Sequence, residues 1–226
     1  MTGPPSAATL AWLARLVAHD TTSRNANLDL IAEVEAHLRE LGATTTRVGD
    51  EHGRKANLFA TLGPTDRPGI ALSGHTDVVP VDGQPWTTDP FALHDDGERA
   101  YARGACDMKG FLACCLARAD ALREAARDTP LHIVFSYDEE VGCLGARRLL
   151  DEMAGWPVRP AAVIVGEPTE MQVVNAHKGK LSVRAEVRGR SCHSALAPEG
   201  VNAVFAASRL AAHLADLAEH KHAHGP

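Results

Sequence analysis

Residues 69–80 read GIALSGHTDVVP, an apolar run, Gly69-Ile70-Ala71-Leu72, followed by His75 and Asp77. A short apolar run bounded by turn residues is the signature of a buried strand, and the His-x-Asp pair stands where such a strand gives out. A ligand histidine usually gives its second ring N–H to a carboxylate or carbonyl, which fixes the tautomer and makes the metal-facing nitrogen more basic. His75 with Asp77 close behind it suits a metal ligand and its orienting partner, and it equally suits an ordinary turn.

Working outward, further apolar runs flanked by turn residues occur at 57–60, 131–135 and 161–165, and each reads as a buried strand. On the N-terminal side, Leu10, Leu13, Leu16 and Val17 share one helical face; Leu28, Ile31, Val34, Leu38 and Leu41 repeat the period before Gly42. Helical stretches at 109–123 and 144–153 separate the later strands. This alternation predicts an α/β fold with a mostly parallel sheet and helices on both faces. Ligands bind such sheets outside the carboxyl ends of the strands, and His75, the segment 137–140 and Glu167 all fall just after a strand.

From about Gln172 the pattern changes. Residues 181–187 alternate as a half-exposed strand does, 202–217 read as an amphipathic helix, and the tail, with His220, His222 and His224, ends without a closing element. The expected division is an α/β domain over 1–178 and a second, smaller domain over 179–226. Lys178, at that junction, is either an ordinary exposed lysine or a partner for a substrate carboxylate.

With 226 residues, 45% hydrophobic and 23% charged, the composition is that of a globular protein with a real core. A net charge of -6 and 4% aromatics provide neither a basic field nor a stacking surface, so neither nucleic acid nor a membrane is expected as a partner. The N-terminus has no basic leader or long apolar segment, so a cytoplasmic location is expected. Five cysteines without paired C-x-x-C spacing read as reduced thiols.

Several acids could carry chemistry. Asp107, in RGACDMKG just before a helix, is either a helix cap or a ligand; Cys106 beside it reads as a small buried apolar residue. Glu139 and Glu140, in YDEE, form either a solvated acidic loop or a pair that divides metal binding and proton transfer between them. Glu167 follows an apolar run directly, where a carboxylate is costly unless exposed, paired or on a metal. Carboxylates with histidine suit zinc, cobalt or manganese. His193 falls in the second domain, where a lone histidine is ordinarily structural or superficial.

As a set, SGHTDVVP, PWTTDPF, RGACDMKG, SYDEEVGCLGAR, VGEPTEM, NAHKGKLSV and GRSCHSALAPEGVNAV resemble, in order and spacing, a family of dinuclear zinc amidohydrolases acting on N-acyl amino acids. The likeness is strongest to the family's deacetylase members. It implies two Zn2+ per complete subunit, with Co2+ able to substitute: His75 and Glu167 on one, Asp107 bridging both, and Glu140 on the second. It further implies Asp77 as the partner of His75 and Glu139 as general base. By the same likeness, 1–178 would be a catalytic domain, incomplete in this chain, and 179–226 the start of a smaller α+β dimerisation or lid domain, whose His193 would serve the active site of the partner subunit in a homodimer. The family's last ligand to the second zinc is a histidine late in a longer chain with no counterpart here, so this chain is expected to be an N-terminal portion that binds at most one zinc tightly.

Overall fold

The computed structural model describes residues 4–177, 179 and 181–224. Two amphipathic helices open the chain, α1 (Ala7–Ala18), capped by the Ser6 hydroxyl on the Thr9 amide, and α2 (Leu28–Glu40). A hairpin of β1 (Thr44–Gly49) and β2 (Ala56–Leu62) follows, then β3 (Ile70–His75) and a small ribbon of β4 (His94–Asp95) and β5 (Ala100–Tyr101). Next come α3 (Lys109–Ala117), α4 (Ala119–Ala125), β6 (Leu131–Ser136), α5 (Leu144–Met153) and β7 (Ala162–Val165).

The main sheet has the order β1-β2-β6-β3-β7. Parallel pairing, expected from the strand–helix alternation, holds where β3 lies between β6 and β7. The β1 and β2 side is antiparallel, so the sheet is mixed rather than mostly parallel. The reason is local: a short connection between β1 and β2 permits a hairpin but not the crossover that a parallel pair needs. Sequence reading missed β1, whose TTTRVG buries only Val48.

Alternation along the strands builds two cores. Leu58, Ala60, Leu62, Ile133 and Phe135 face one way, under α1, α2 and α3. Phe59, Ala71 and Val134 face the other, under Leu149 and Met153 of α5, so helices cover both faces as expected. Burying a Leu, Ile or Phe side chain contributes roughly 1.5–3 kcal/mol relative to leaving it in water, so the strand ends that carry polar residues rest on a firm apolar base.

The chain divides into two compact units, Met1–Val173 and Val174–Pro226. In the second, a 3₁₀ turn at Ser194–Glu199 precedes α6 (Ala203–His224). The strand expected at 181–187 does not form; among the described residues this unit has only the bridge between Arg190 and Val201. Alternation marks two faces of a segment but supplies no partner, and a strand needs one. The tail, read as lacking a closing element, continues in α6.

Candidate metal centre

Parallel strands end together. β3 pairs His75 with Ser136 of β6, and Ser73 with Val165 of β7, so the segments after His75, Ser136 and Val165 emerge at one edge. Asp107 arrives from the loop before α3, which packs tightly on β3: a Cβ on Gly74 would lie 2.8 Å from Met108 Cε and 2.9 Å from Leu112 Cδ2. Gly74 therefore lets α3 bring Asp107 beside His75.

His75 is buried, and its Nδ1–H donates to the main-chain carbonyl of Asp77 at 2.9 Å, with Asp77 Oδ1 at 3.5 Å. A carbonyl can only accept, so this bond fixes the Nδ1–H tautomer in the neutral ring. Nε2 is thereby turned toward carboxylates: Asp107 Oδ1 at 3.0 Å, Glu167 Oε1 at 3.8 Å and Glu139 Oε2 at 3.9 Å. Ligand atoms of His75, Asp107 and Glu167 all lie within 4.8 Å of one another.

This arrangement calls for a cation. Burial disfavours the charged imidazole, yet the Asp77 hydrogen bond and the charges of Asp77 and Glu167 outweigh it and push its pKa up to about 9. Glu167 and Glu140 are held above the ordinary carboxylate range, by burial first and by the negative charge of Asp107 and Glu139. Among the described residues, the carboxylates of Asp107, Glu139, Glu140 and Glu167 form no ion pair with lysine or arginine. One imidazole nitrogen and two carboxylates converging in this way fit zinc or a similar divalent ion.

The other expected residues divide. Asp107 does not cap α3, whose N-cap is Met108 without a side-chain cap bond; its carboxylate is spent on His75. Cys106 is exposed, not a buried filler. Asp77 does more than face His75: its Oδ1 accepts from the Glu139 amide at 2.9 Å, and its Oδ2 from Ser23 Oγ at 2.7 Å and the Glu140 amide at 3.3 Å. Burial would raise the Asp77 carboxyl, but the bonds from His75, Ser23 and Glu139 hold it below its usual range.

Glu140 stands outside the group of three and lines a cleft of about 300 Å³ with Thr22, Ser23, Arg24, Val79, Pro80 and Val141. The acidic loop is not simply solvated, because Asp138 is buried. His193 lies in the second unit, exposed, its Nδ1 accepting from the Ala195 amide at 3.1 Å, which leaves the ring proton of the neutral form on Nε2. Lys178 lies outside the described residues. Ser23, Lys55 and the buried Lys109, all in the surroundings of Asp77, escaped the sequence reading; a polar residue beside an apolar run was the available signal for Lys55.

Fold and site together describe an α/β protein with a histidine–carboxylate group, at one edge of its sheet, that could hold a metal ion. Residues 71–224 match the model of peptidase family M20/M25/M40, and the chain belongs to that family. It is 42% identical over 213 residues to the acetylornithine deacetylase of Myxococcus xanthus, covering 92% of this chain and 54% of that protein. A second acetylornithine deacetylase, from Proteus mirabilis (strain HI4320), is 42% identical over 166 residues, 72% of this chain and 41% of that one. The chain thus spans about half the length of the curated relatives it matches. In fold it is similar to an M20 family metallo-carboxypeptidase, Sso-CP2, from Sulfolobus solfataricus, with a TM-score of 0.59 at 21% identity over 70% of this chain and 37% of that structure.

Proposed function

We propose that the full-length protein is a zinc-dependent amide hydrolase that removes the acetyl group from N-acetyl-L-ornithine, giving L-ornithine and acetate. The observation that carries this is the convergence of His75, Asp107 and Glu167 on one point. The choice of substrate is supported by the 42% identity to two acetylornithine deacetylases.

In this reading His75, Asp107 and Glu167 would hold one zinc, and Asp107 and Glu140 would serve a second. Zinc in such a site supplies a Lewis acid and lowers the pKa of a water it binds to about 7. Asp77 fixes the tautomer and tilt of His75. Glu139, whose Oε2 lies 3.9 Å from His75 Nε2 and which stays partly exposed, takes the proton of the attacking water and returns it to the leaving amine. His193, with its proton on Nε2, donates to the oxygen that gains charge, in the partner subunit of a homodimer. The 226-residue chain by itself holds at most one zinc tightly.

The test uses the full-length enzyme on a panel of N-acetyl-L-ornithine, N-succinyl-diaminopimelate and other N-acyl amino acids. N-acetyl-L-ornithine should give the highest kcat/KM, and Glu139→Gln should lower kcat by about 10²–10⁴-fold, the range for a lost general base. A higher kcat/KM for the succinylated substrate would move the assignment to desuccinylation. Elemental analysis of the 226-residue chain should find one zinc; two would overturn the single-site reading.

A further inference from the structure

Beneath the candidate centre lies a polar assembly that none of the ligand roles accounts for. Lys55, at the end of the β1–β2 turn, extends its ammonium into the protein and meets both carboxylate oxygens of Asp138, at 2.6 and 2.7 Å. The same ammonium donates to the main-chain carbonyl of Ser23. The side chains of Lys55 and Asp138 are 13% and 11% exposed, so this is an ion pair largely removed from water.

The residues it joins are the ones that hold Asp77. Ser23 donates its hydroxyl to Asp77 Oδ2, and Asp138 immediately precedes Glu139 and Glu140, whose amides donate to Oδ1 and Oδ2. Lys55 thus grips both segments that supply donors to the Asp77 carboxylate. Asp138 sits at φ 54°, in the left-handed region that a non-glycine residue adopts at a cost and keeps only where its surroundings over-determine it. A second anchor lies two residues along β2: Asn57 accepts from the Tyr137 amide at 3.3 Å and donates to the Gly145 carbonyl at 2.9 Å. The loop that bears Glu139 and Glu140 is therefore tied from below at both ends.

A surface ion pair contributes little to stability, and even a buried one gives weak evidence of net stability, since desolvation offsets its attraction. Stability alone is a poor reason for Lys55 to be inside. A lysine that fixes two donor segments has a geometric role instead, because the partners that orient metal ligands typically govern 10–100-fold in metal affinity or activity.

We propose that Lys55 is a positioning residue for the metal centre: through Ser23 and Asp138 it sets the donors that align Asp77, and through Asp77 it sets His75 and the Glu139–Glu140 segment. This rests on the reading of His75, Asp107 and Glu167 as a divalent-metal site. A solvated or merely tethering lysine would leave the alignment of Asp77 unchanged when removed. Lys55→Met keeps the aliphatic stem and removes the charge and its hydrogen bonds. Asp138→Asn removes the other half of the pair and leaves Lys55 in place.

Two measurements on the 226-residue chain test this. The first is Co2+ titration followed by the visible absorption of the ion: both variants should bind about 10–100-fold more weakly than the parent, and the double variant should be no worse than the weaker single one. The second needs no metal: amide hydrogen exchange of Glu139 and Glu140 should quicken at least about tenfold in each variant while the β2, β3 and β6 amides keep their protection. If Lys55→Met does not fold, Asp138→Asn gives the same two readings. A folded variant with Co2+ affinity within twofold of the parent, or with unchanged exchange at 139 and 140, overturns the proposal. A parent chain that binds no Co2+ sinks the metal-site reading, and the exchange result then decides whether Lys55 orders the loop at all.

Discussion

His75 and Glu140 belong to the same constellation of carboxylates and imidazole, yet the fold treats them differently. His75 ends a strand hydrogen-bonded on both sides, is buried, and meets Asp107 and Glu167 within a few ångströms. Glu140 sits in a loop, stands outside that group and faces a cleft toward Thr22 and Val79. One side of the centre is built by the sheet, the other by a loop held through Asp77. The difference teaches that a residue at a strand end has its backbone placed by the sheet and needs only its side chain oriented, whereas a residue in a loop depends on what ties the loop.

The comparison is broken most directly at His75. Replacing it with alanine should lower Zn2+ affinity of the 226-residue chain by more than about a hundredfold, beyond what loss of an orienting partner costs. Calorimetric titration with Zn2+ reads this. If His75→Ala binds zinc as the parent does, the trio is not the metal site and the contrast has no content.

An effect of about tenfold per pH unit is expected from proton linkage in chelator-treated protein. His75 has its pKa raised from 6.5 to about 9, so its contribution is complete below pH 6.5 and is lost as pH rises through 9. Lys109, fully buried with Nζ on the His19 carbonyl, has its pKa pushed from 10.5 down to about 7 by burial, so its penalty is largest below pH 7 and fades toward 10.5. Between pH 7 and 8.5 the two slopes oppose, and the parent should show a nearly flat denaturation midpoint. Lys109→Met should expose the His75 slope, a loss of up to about 1.4 kcal/mol per pH unit. His75→Gln should show the reverse, a rise with pH. Urea melts across that window measure both; slopes of the same sign in the two variants would refute the assignment.

Much of this architecture was legible because its signals are local. The runs at 57–60, 70–72, 131–135 and 161–165 announced strands, and an acid or histidine two or three residues after each of the last three marked the edge where the candidate site lies. What escaped was whatever depends on a distant partner. β1 buries one side chain in six and is a strand because β2 pairs with it. The segment 181–187 has the alternation and lacks the partner. Asp107 read as a helix cap or a ligand until its distance to His75 was known. Lys55 and Asp138 lie 83 positions apart, and no local pattern joins them.

The smallest effect should come from Glu140, and it sharpens the contrast most finely. Glu140→Gln preserves volume and both amide-facing bonds to Asp77, since those use the main chain. It removes only a carboxylate that burial and its acidic neighbours already hold above its usual range. Zn2+ affinity of the 226-residue chain should therefore change by less than about threefold, within what a charge at the margin of the site contributes through partly solvated surroundings. A tenfold loss would mean that the loop closes on the trio when metal arrives, so that sheet and loop act as one site. A gain would mean that Glu140 acts on the trio mainly by repelling Asp107 and Glu139. Only the small change keeps the two sides separable, with His75, Asp107 and Glu167 sufficient and Glu140 reserved for a second ion.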